Sequence, residues 1–159
     1  MAQEIERKFL VKDDSWRSQS QRVLYRQGYL TTDPHLAIRV RIAADDAWLT
    51  IKGATVGVSR AEYDYAIPLK DAQEMLDHLC EKPLIEKYRY HLNAGEITWE
   101  IDEFLGENQG LIIAEVELDD EGQLFEKPSW LGVEVSDDPR YYNANLVNYP
   151  YSQWEESKG

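Results

Sequence analysis

Charged residues recur in this chain at a spacing of two. Glu4-x-Glu6-x-Lys8 opens the series, and Arg39-x-Arg41, Lys52, Glu62-x-Asp64, Lys87-x-Arg89, Glu100-x-Asp102 and Glu115-x-Glu117 follow. The cations suit phosphate oxygens, because arginine offers a planar bidentate fork and lysine a mobile point charge. The carboxylates suit a hard divalent cation such as Mg²⁺ or Mn²⁺, which takes oxygen ligands and bridges to phosphate. A polyphosphate accompanied by a divalent metal would satisfy both sets.

A spacing of two is the period of a β-strand, whose side chains alternate between faces. Candidate strands lie at about 3–12, 23–30, 36–43, 47–53, 60–67, 85–92, 96–104, 111–118 and 131–136, and in most of them the charged residues oppose an apolar set. An ordinary sheet with one wet face would also alternate. Here, however, the charges are sorted by strand: cations at 39/41 and 87/89, acids at 4/6, 100/102 and 115/117. Like charges two residues apart on one face repel, and a surface selected for solubility mixes signs. The sorting is explained if the sheet closes into a barrel with its charged faces turned inward. Lys8, Arg39, Arg41, Lys52, Lys87 and Arg89 would then face Glu4, Glu6, Glu62, Asp64, Glu100, Asp102, Glu115, Glu117 and Glu134. Confined like charges are costly unless compensated, so such a lumen requires both an anionic ligand and a cation.

Other elements are fewer. Ala43–Asp46 and Asn93–Glu96 read as hairpin turns, and 53–59 as a longer polar connection. A helix is expected at about 71–82, capped by Asp71, with Ala72, Met75, Leu76, Leu79 and Cys80 as its apolar stripe. Short helices are expected at 13–17 and 123–126. Another should start at Asp138-Pro139 and run to about 147, with an irregular tail from about 150. The fold class is therefore α+β, mainly β, in a single domain over 1–159.

Composition narrows the function. The 159 residues carry a formal charge of −13, with 43% hydrophobic and 11% aromatic residues, enough for a core. The acidic total disfavours nucleic acid on the outer surface. No apolar run approaches a membrane span, and the N-terminus lacks the apolar segment of a signal peptide, so a cytoplasmic protein is expected. The single Cys80 excludes an internal disulfide and a Cys-based zinc site. There is no glycine-rich phosphate loop.

The Glu4-Ile5-Glu6-Arg7-Lys8 run fits the ExExK signature of the CYTH superfamily, the triphosphate tunnel metalloenzymes. The resemblance continues through Gln27-Gly28-Tyr29-Leu30, Arg39-x-Arg41, Leu49-Thr50-Ile51-Lys52-Gly53, Arg60-x-Glu62-Tyr63 and Glu86-Lys87-x-Arg89. It then takes in Glu100-x-Asp102, Glu115-x-Glu117, Leu131-Gly132-x-Glu134-Val135 and Arg140-Tyr141-Tyr142-Asn143, in order over about residues 2–147. Within the superfamily the chain is most similar to the bacterial inorganic triphosphatases. It lacks the His-Phe lead-in before ExExK associated with class IV adenylate cyclases. The resemblance implies an eight-stranded antiparallel β-tunnel with flanking helices, one of which can plug an end, and metal-dependent chemistry on triphosphate compounds.

Residue roles follow as expectations. Lys8, Arg39, Arg41, Lys52, Lys87 and Arg89 are candidates to bind phosphate. Glu4 and Glu6 are the leading metal ligands by resemblance, with Glu115 and Glu117 next and one of that pair expected to serve. Glu62, Asp64, Glu100 and Asp102 are expected to hold the cationic side chains. Tyr29 and Lys52 resemble a catalytic pair in which the lysine lowers the phenol pKa; a tyrosine that only hydrogen-bonds in the lumen is the plainer alternative. His35, His78 and His91 lack metal-ligand partners, and Cys80 reads as core filler. Adenylate cyclase, thiamine or nucleoside triphosphatase, and a non-catalytic polyphosphate- or nucleotide-binding module are the alternatives to inorganic triphosphate hydrolysis. A homodimer is compatible with the resemblance.

Overall fold

A computed structural model of the chain describes residues 3–154. Nine strands form: β1 Gln3–Val11, β2 Arg22–Asp33, β3 Leu36–Ala43, β4 Asp46–Gly53, β5 Ser59–Ala66, β6 Ile85–Ala94, β7 Ile97–Phe104, β8 Ile112–Glu117 and β9 Leu131–Glu134. The order β5-β4-β3-β2-β6-β7-β8-β1 is antiparallel and closes on itself through β1 and β5, giving the eight-stranded barrel. β9 lies outside this circuit, on β1. The closing strand therefore has several partners: residues 3–5 pair with β5, 6–9 with β8, and Phe9 and Val11 with β9.

Alternation turns the charged sides inward and leaves the apolar sides to be covered from outside. Val40, Ile42 and Ala47 pack under α1 (Leu69–His78), whose Ala72 and Leu76 are fully buried. Phe9, Trp99, Ile101, Val116 and Trp130 form a second core beneath the segments 12–20 and 118–131. Its aromatic rings meet edge to face, Phe9–Trp99 at 5.8 Å and Trp99–Trp130 at 5.5 Å, the offset arrangement that ring quadrupoles favour. A third cluster lies at one end of the barrel. There the inward positions become apolar (Tyr29, Ala37, Ile85, Phe104, Ile113), and α2 (Asn143–Asn148) seats Leu146 and Val147 on them as a plug.

Several expectations are corrected. Glu134 is not in the lumen: it lies on the outer side, paired with Arg7 at 2.6 Å, because β9 joins the edge of β1 rather than the barrel wall. The first helix begins at Leu69 behind Pro68, not at a capping Asp71, which sits in its first turn. It ends at His78, where the amides of Leu79 and Cys80 both donate to the Met75 carbonyl. The second bond spans five residues, and this widened last turn leaves Leu79 65% exposed while Cys80 stays buried. The 13–17 helix is instead a 3₁₀ turn at Arg17–Gln19, and 123–126 is not helical. The element expected from Asp138 breaks at Tyr142: a 3₁₀ turn at Pro139–Tyr141, capped by Asp138 accepting from the Arg140 amide, precedes α2. Of the tail expected to be irregular, the described part is a 3₁₀ turn at Tyr151–Gln153 and Trp154, which is buried against Tyr141 at 5.1 Å; the rest lies outside the described residues.

Glycine is required where α1 meets the barrel. A Cβ on Gly28 would stand 2.8 Å from both Cys80 Cβ and Leu84 Cδ2. Gly28→Ala is expected to cost about 1–3 kcal/mol through overpacking, measured as a shift in the denaturant midpoint. An unchanged midpoint would mean that the α1–β2 contact is loose.

Candidate functional site

The inward positions enclose a cavity of about 380 Å³ lined by Glu4, Glu6, Lys8, Arg39, Arg41, Lys52, Arg60, Lys87, Arg89 and Glu115. It is bounded by the loops at 32–35 and 54–58 and by the segment leading into α2. The strand register sets these neighbours. Lys8 of β1 opposes Glu115 of β8, Arg89 of β6 opposes Asp102 of β7, and Lys52 of β4 opposes Glu62 of β5.

The lumen sorts into paired and unpaired charge. Asp102 and Lys87 are fully buried and 2.7 Å apart, and Arg89 grips the same carboxylate with Nε at 2.7 Å and Nη2 at 2.8 Å. Burial works to raise the Asp102 pKa, but Arg89 and Lys87 outweigh it and hold the carboxyl well below the usual range. Lys8 bridges Glu6 at 2.8 Å and Glu115 at 3.0 Å. Burial would lower the Lys8 pKa, yet Glu115 and Glu6 raise it above that of an ordinary lysine. Lys52 sits 3.0 Å from Glu4 and 3.7 Å from Glu62. Glu100 lies 3.3 Å from Arg89 and the same distance from His91. Asp64 accepts from the Thr50 hydroxyl, which in turn accepts from Arg39 Nη2 at 3.2 Å.

Arg39, Arg41 and Arg60 have no ion pair within 4.0 Å among the described residues. Arg41 donates only to Gln27, at 2.9 Å, and Arg60 to the Gly53 carbonyl, at 3.0 Å. Arg39 Nε is buried without an acceptor. Burial, with Arg39 and Arg89 adding repulsion, lowers the Arg41 pKa to about 9. On the acidic side, one carboxylate oxygen each from Glu4, Glu6 and Glu117 lie within 4.8 Å of one another. Burial, then Glu4 and Glu6, push Glu117 up to about 8. Burial and the hydrogen bond to Glu4 push Glu62 up to about 9. Burial would raise Glu4, but Lys52, the hydrogen bond to Glu62 and Lys8 together bring it down to about 2. Excess positive charge thus gathers at the arginines and excess negative charge at the Glu4–Glu6–Glu117 cluster. Three carboxylates at this spacing form a hard oxygen donor set that fits a divalent cation.

Among the expected metal ligands the structure brings Glu4, Glu6 and Glu117 together; Lys52 also holds Glu4, and Lys8 holds both Glu6 and Glu115, which is outside the cluster. Tyr29 lines the cavity, but no hydrogen bond joins it to Lys52 among the described residues; Lys52 Nζ donates to both Glu4 oxygens, at 3.0 and 3.2 Å. Sequence reasoning gave no site role to Tyr25, Gln27, Thr50, Arg60 and Asn143, although all but Tyr25 fall in the stretches that carry the family resemblance. The first four are in phase with the inward positions of their strands, and the period-two rule applied to uncharged residues and to the start of β5 finds them. Asn143 reaches the lumen only because α2 folds across the barrel end, for which the sequence carries no local signal.

Comparison with known proteins agrees with this geometry. The model of the CYTH domain family matches residues 2–142. An inorganic triphosphatase of Acetivibrio thermocellus is 53% identical over 156 residues, 98% of this chain and 100% of that protein. An inorganic triphosphatase of Nitrosomonas europaea is 38% identical over 149 residues, 91% of this chain and 96% of that protein. A crystal structure of an inorganic triphosphatase superposes with a TM-score of 0.63 at 35% identity, covering 90% of this chain and 96% of that one.

The shared carboxylate of Asp102 gives a stability test. Asp102→Ala strands Lys87 and Arg89 inside the barrel and is expected to cost about 3–5 kcal/mol in equilibrium unfolding near neutral pH. Because the folded pKa of Asp102 is depressed, the difference from wild type should be full above about pH 4, the ordinary aspartate value, and shrink as pH falls below it. A loss under about 1 kcal/mol would show that the cations find other partners.

Proposed function

The chain belongs to the CYTH domain family, and from that premise we propose that it hydrolyses inorganic triphosphate to pyrophosphate and orthophosphate inside its barrel. The reaction requires a divalent cation, Mg²⁺ or Mn²⁺, for which Glu4, Glu6 and Glu117 are the ligands. The observation that carries this reading is the separation of surplus charge in the barrel: Lys52 and Lys8 hold Glu4 and Glu6, and Glu117 beside them adds a carboxylate with no ion pair among the described residues. Arg39, Arg41 and Arg60 face the cavity without acid partners, while the three carboxylates crowd one another. A triphosphate between them neutralises the arginines, and a divalent cation neutralises the carboxylates.

The chain's own groups then do mostly positioning and electrostatic work, which supplies most of the catalysis in phosphoryl transfer. The arginines grip equatorial oxygens by two-point contacts and fix the polyanion along the tunnel. Lys8, Lys52 and Lys87 add point charges at the oxygens that gain charge as the P–O–P bond breaks. Asp102, Glu100 and Glu62 hold the cations in place, and Asp64 does so through Thr50. When bound, the divalent cation would supply charge neutralisation and a water of lowered pKa. Water attacks the terminal phosphorus, orthophosphate forms, and pyrophosphate leaves. Lys52, with its ammonium on Glu4, suits phosphate contact better than activation of Tyr29, whose hydroxyl contributes to the tunnel wall.

Purified protein with Mg²⁺ or Mn²⁺ is expected to release orthophosphate from triphosphate, and EDTA should abolish the release. Glu4→Gln, Glu6→Gln and Glu117→Gln should each weaken metal binding, raising the metal concentration at half-maximal rate by more than the roughly 10–100-fold cost of losing an outer-shell partner. Undiminished turnover in EDTA, or triphosphate left intact while ATP is cyclised, would overturn the reading.

A further inference from the structure

β2 is the one barrel strand whose inward face carries no charge. It presents Tyr25, Gln27 and Tyr29 between β3, with Arg39 and Arg41, and β6, with Lys87 and Arg89. Gln27 is fully buried. Arg41 Nε donates to Gln27 Oε1 at 2.9 Å, Gln27 Nε2 donates to Asn143 Oδ1 at 3.1 Å, and Lys87 Nζ donates to the same Oδ1 at 2.8 Å. Arginine and lysine can only donate, so both amides have their orientation imposed from the two ends of this chain of bonds. The Tyr25 ring adds a further neutral contact, with the Arg41 and Arg89 guanidinium carbons each 4.9 Å from its centroid.

At Asn143 a carboxylate would accept the same two hydrogen bonds more strongly, and at Gln27 it would accept from Arg41 but could not donate to Asn143. At Gln27 it would also cancel the charge of Arg41, and at Asn143 it would add a second acid beside Lys87. An amide oxygen fixes direction without cancelling charge.

We propose that Gln27 and Asn143 are positioning residues: Gln27 aims Arg41 at the substrate without cancelling its charge, and Asn143 fixes the Gln27 amide and steadies Lys87, whose charge Asp102 already balances, without adding a second acid. Because Asn143 stands at the start of α2, the same bonds tie the plug to the cations. The proposal rests on the polyphosphate reading of the cavity, and it concerns how two of its cations are held.

Asn143→Asp is the informative variant, since it keeps both acceptor bonds and changes only the charge. Its affinity for triphosphate, measured by calorimetry, is expected to fall by about tenfold to a hundredfold, the range for an interaction with a charged group. Its melting temperature without ligand should equal or exceed that of wild type, as the new carboxylate pairs with Lys87. Asn143→Ala removes the acceptor and should lower the melting temperature. Gln27→Leu provides a second test if Asn143→Asp does not fold: it removes the acceptor that aims Arg41, and an affinity for triphosphate within twofold of wild type would overturn the proposal. A purely structural role predicts the reverse: Asn143→Asp binds triphosphate within twofold of wild type, and that result would overturn the proposal. Turnover by wild type tests the underlying reading separately. A wild-type protein that binds triphosphate but does not cleave it leaves the affinity comparison intact.

Discussion

The structure depends on one constraint: ionised side chains taken out of water must find opposite charge. The Asp102 carboxylate shows how it is met. Buried completely, it is shared by Lys87 and Arg89 at 2.7 Å each, and the three groups are tolerated only as a set. Lys8 between Glu6 and Glu115, and Lys52 between Glu4 and Glu62, repeat the arrangement on other strands. The charges left over are not scattered. Surplus guanidinium collects on β3 and at the start of β5, and surplus carboxylate collects where β1 meets β8. The barrel wall thus keeps most of its charge compensated and holds the remainder in two separated groups.

A barrel filled with charge cannot be its own hydrophobic core, so the apolar residues must be buried elsewhere. This explains the otherwise dispersed architecture. α1, the aromatic cluster around Trp99 and the α2 plug each cover a different outer face or end. It also explains why the covering pieces are short. Each one needs only to seal an apolar patch on a wall whose shape is already fixed by a closed ladder of strands.

Much of this was legible from the sequence because charge and period coincide. The two-residue spacing located all nine strands, and the sorting of sign by strand implied an enclosed lumen. Where the reasoning failed, non-local geometry was the cause. Glu134 has the right parity but the wrong strand, since β9 flanks β1 instead of entering the wall. Leu79 has helical spacing, but a widened last turn leaves it exposed. Gln27 and Thr50 were passed over because attention went to formal charge. Asn143 was out of reach because only the packing of α2 across the barrel end carries it to Lys87.

The closing strand has a consequence for how the protein comes into being. β1 is the first strand of the chain, yet it pairs with β5, β8 and β9, and its Lys8 contacts Glu115 across 107 residues. A nascent chain emerging from the ribosome carries Glu4 and Glu6 long before Glu117, the third member of their cluster, exists. Local hairpins such as β3–β4 and β6–β7 can form early, but β1 must wait for the late strands. Its carboxylates therefore reach their final arrangement in the same step that shuts the barrel, and a half-made chain has an open edge with no site.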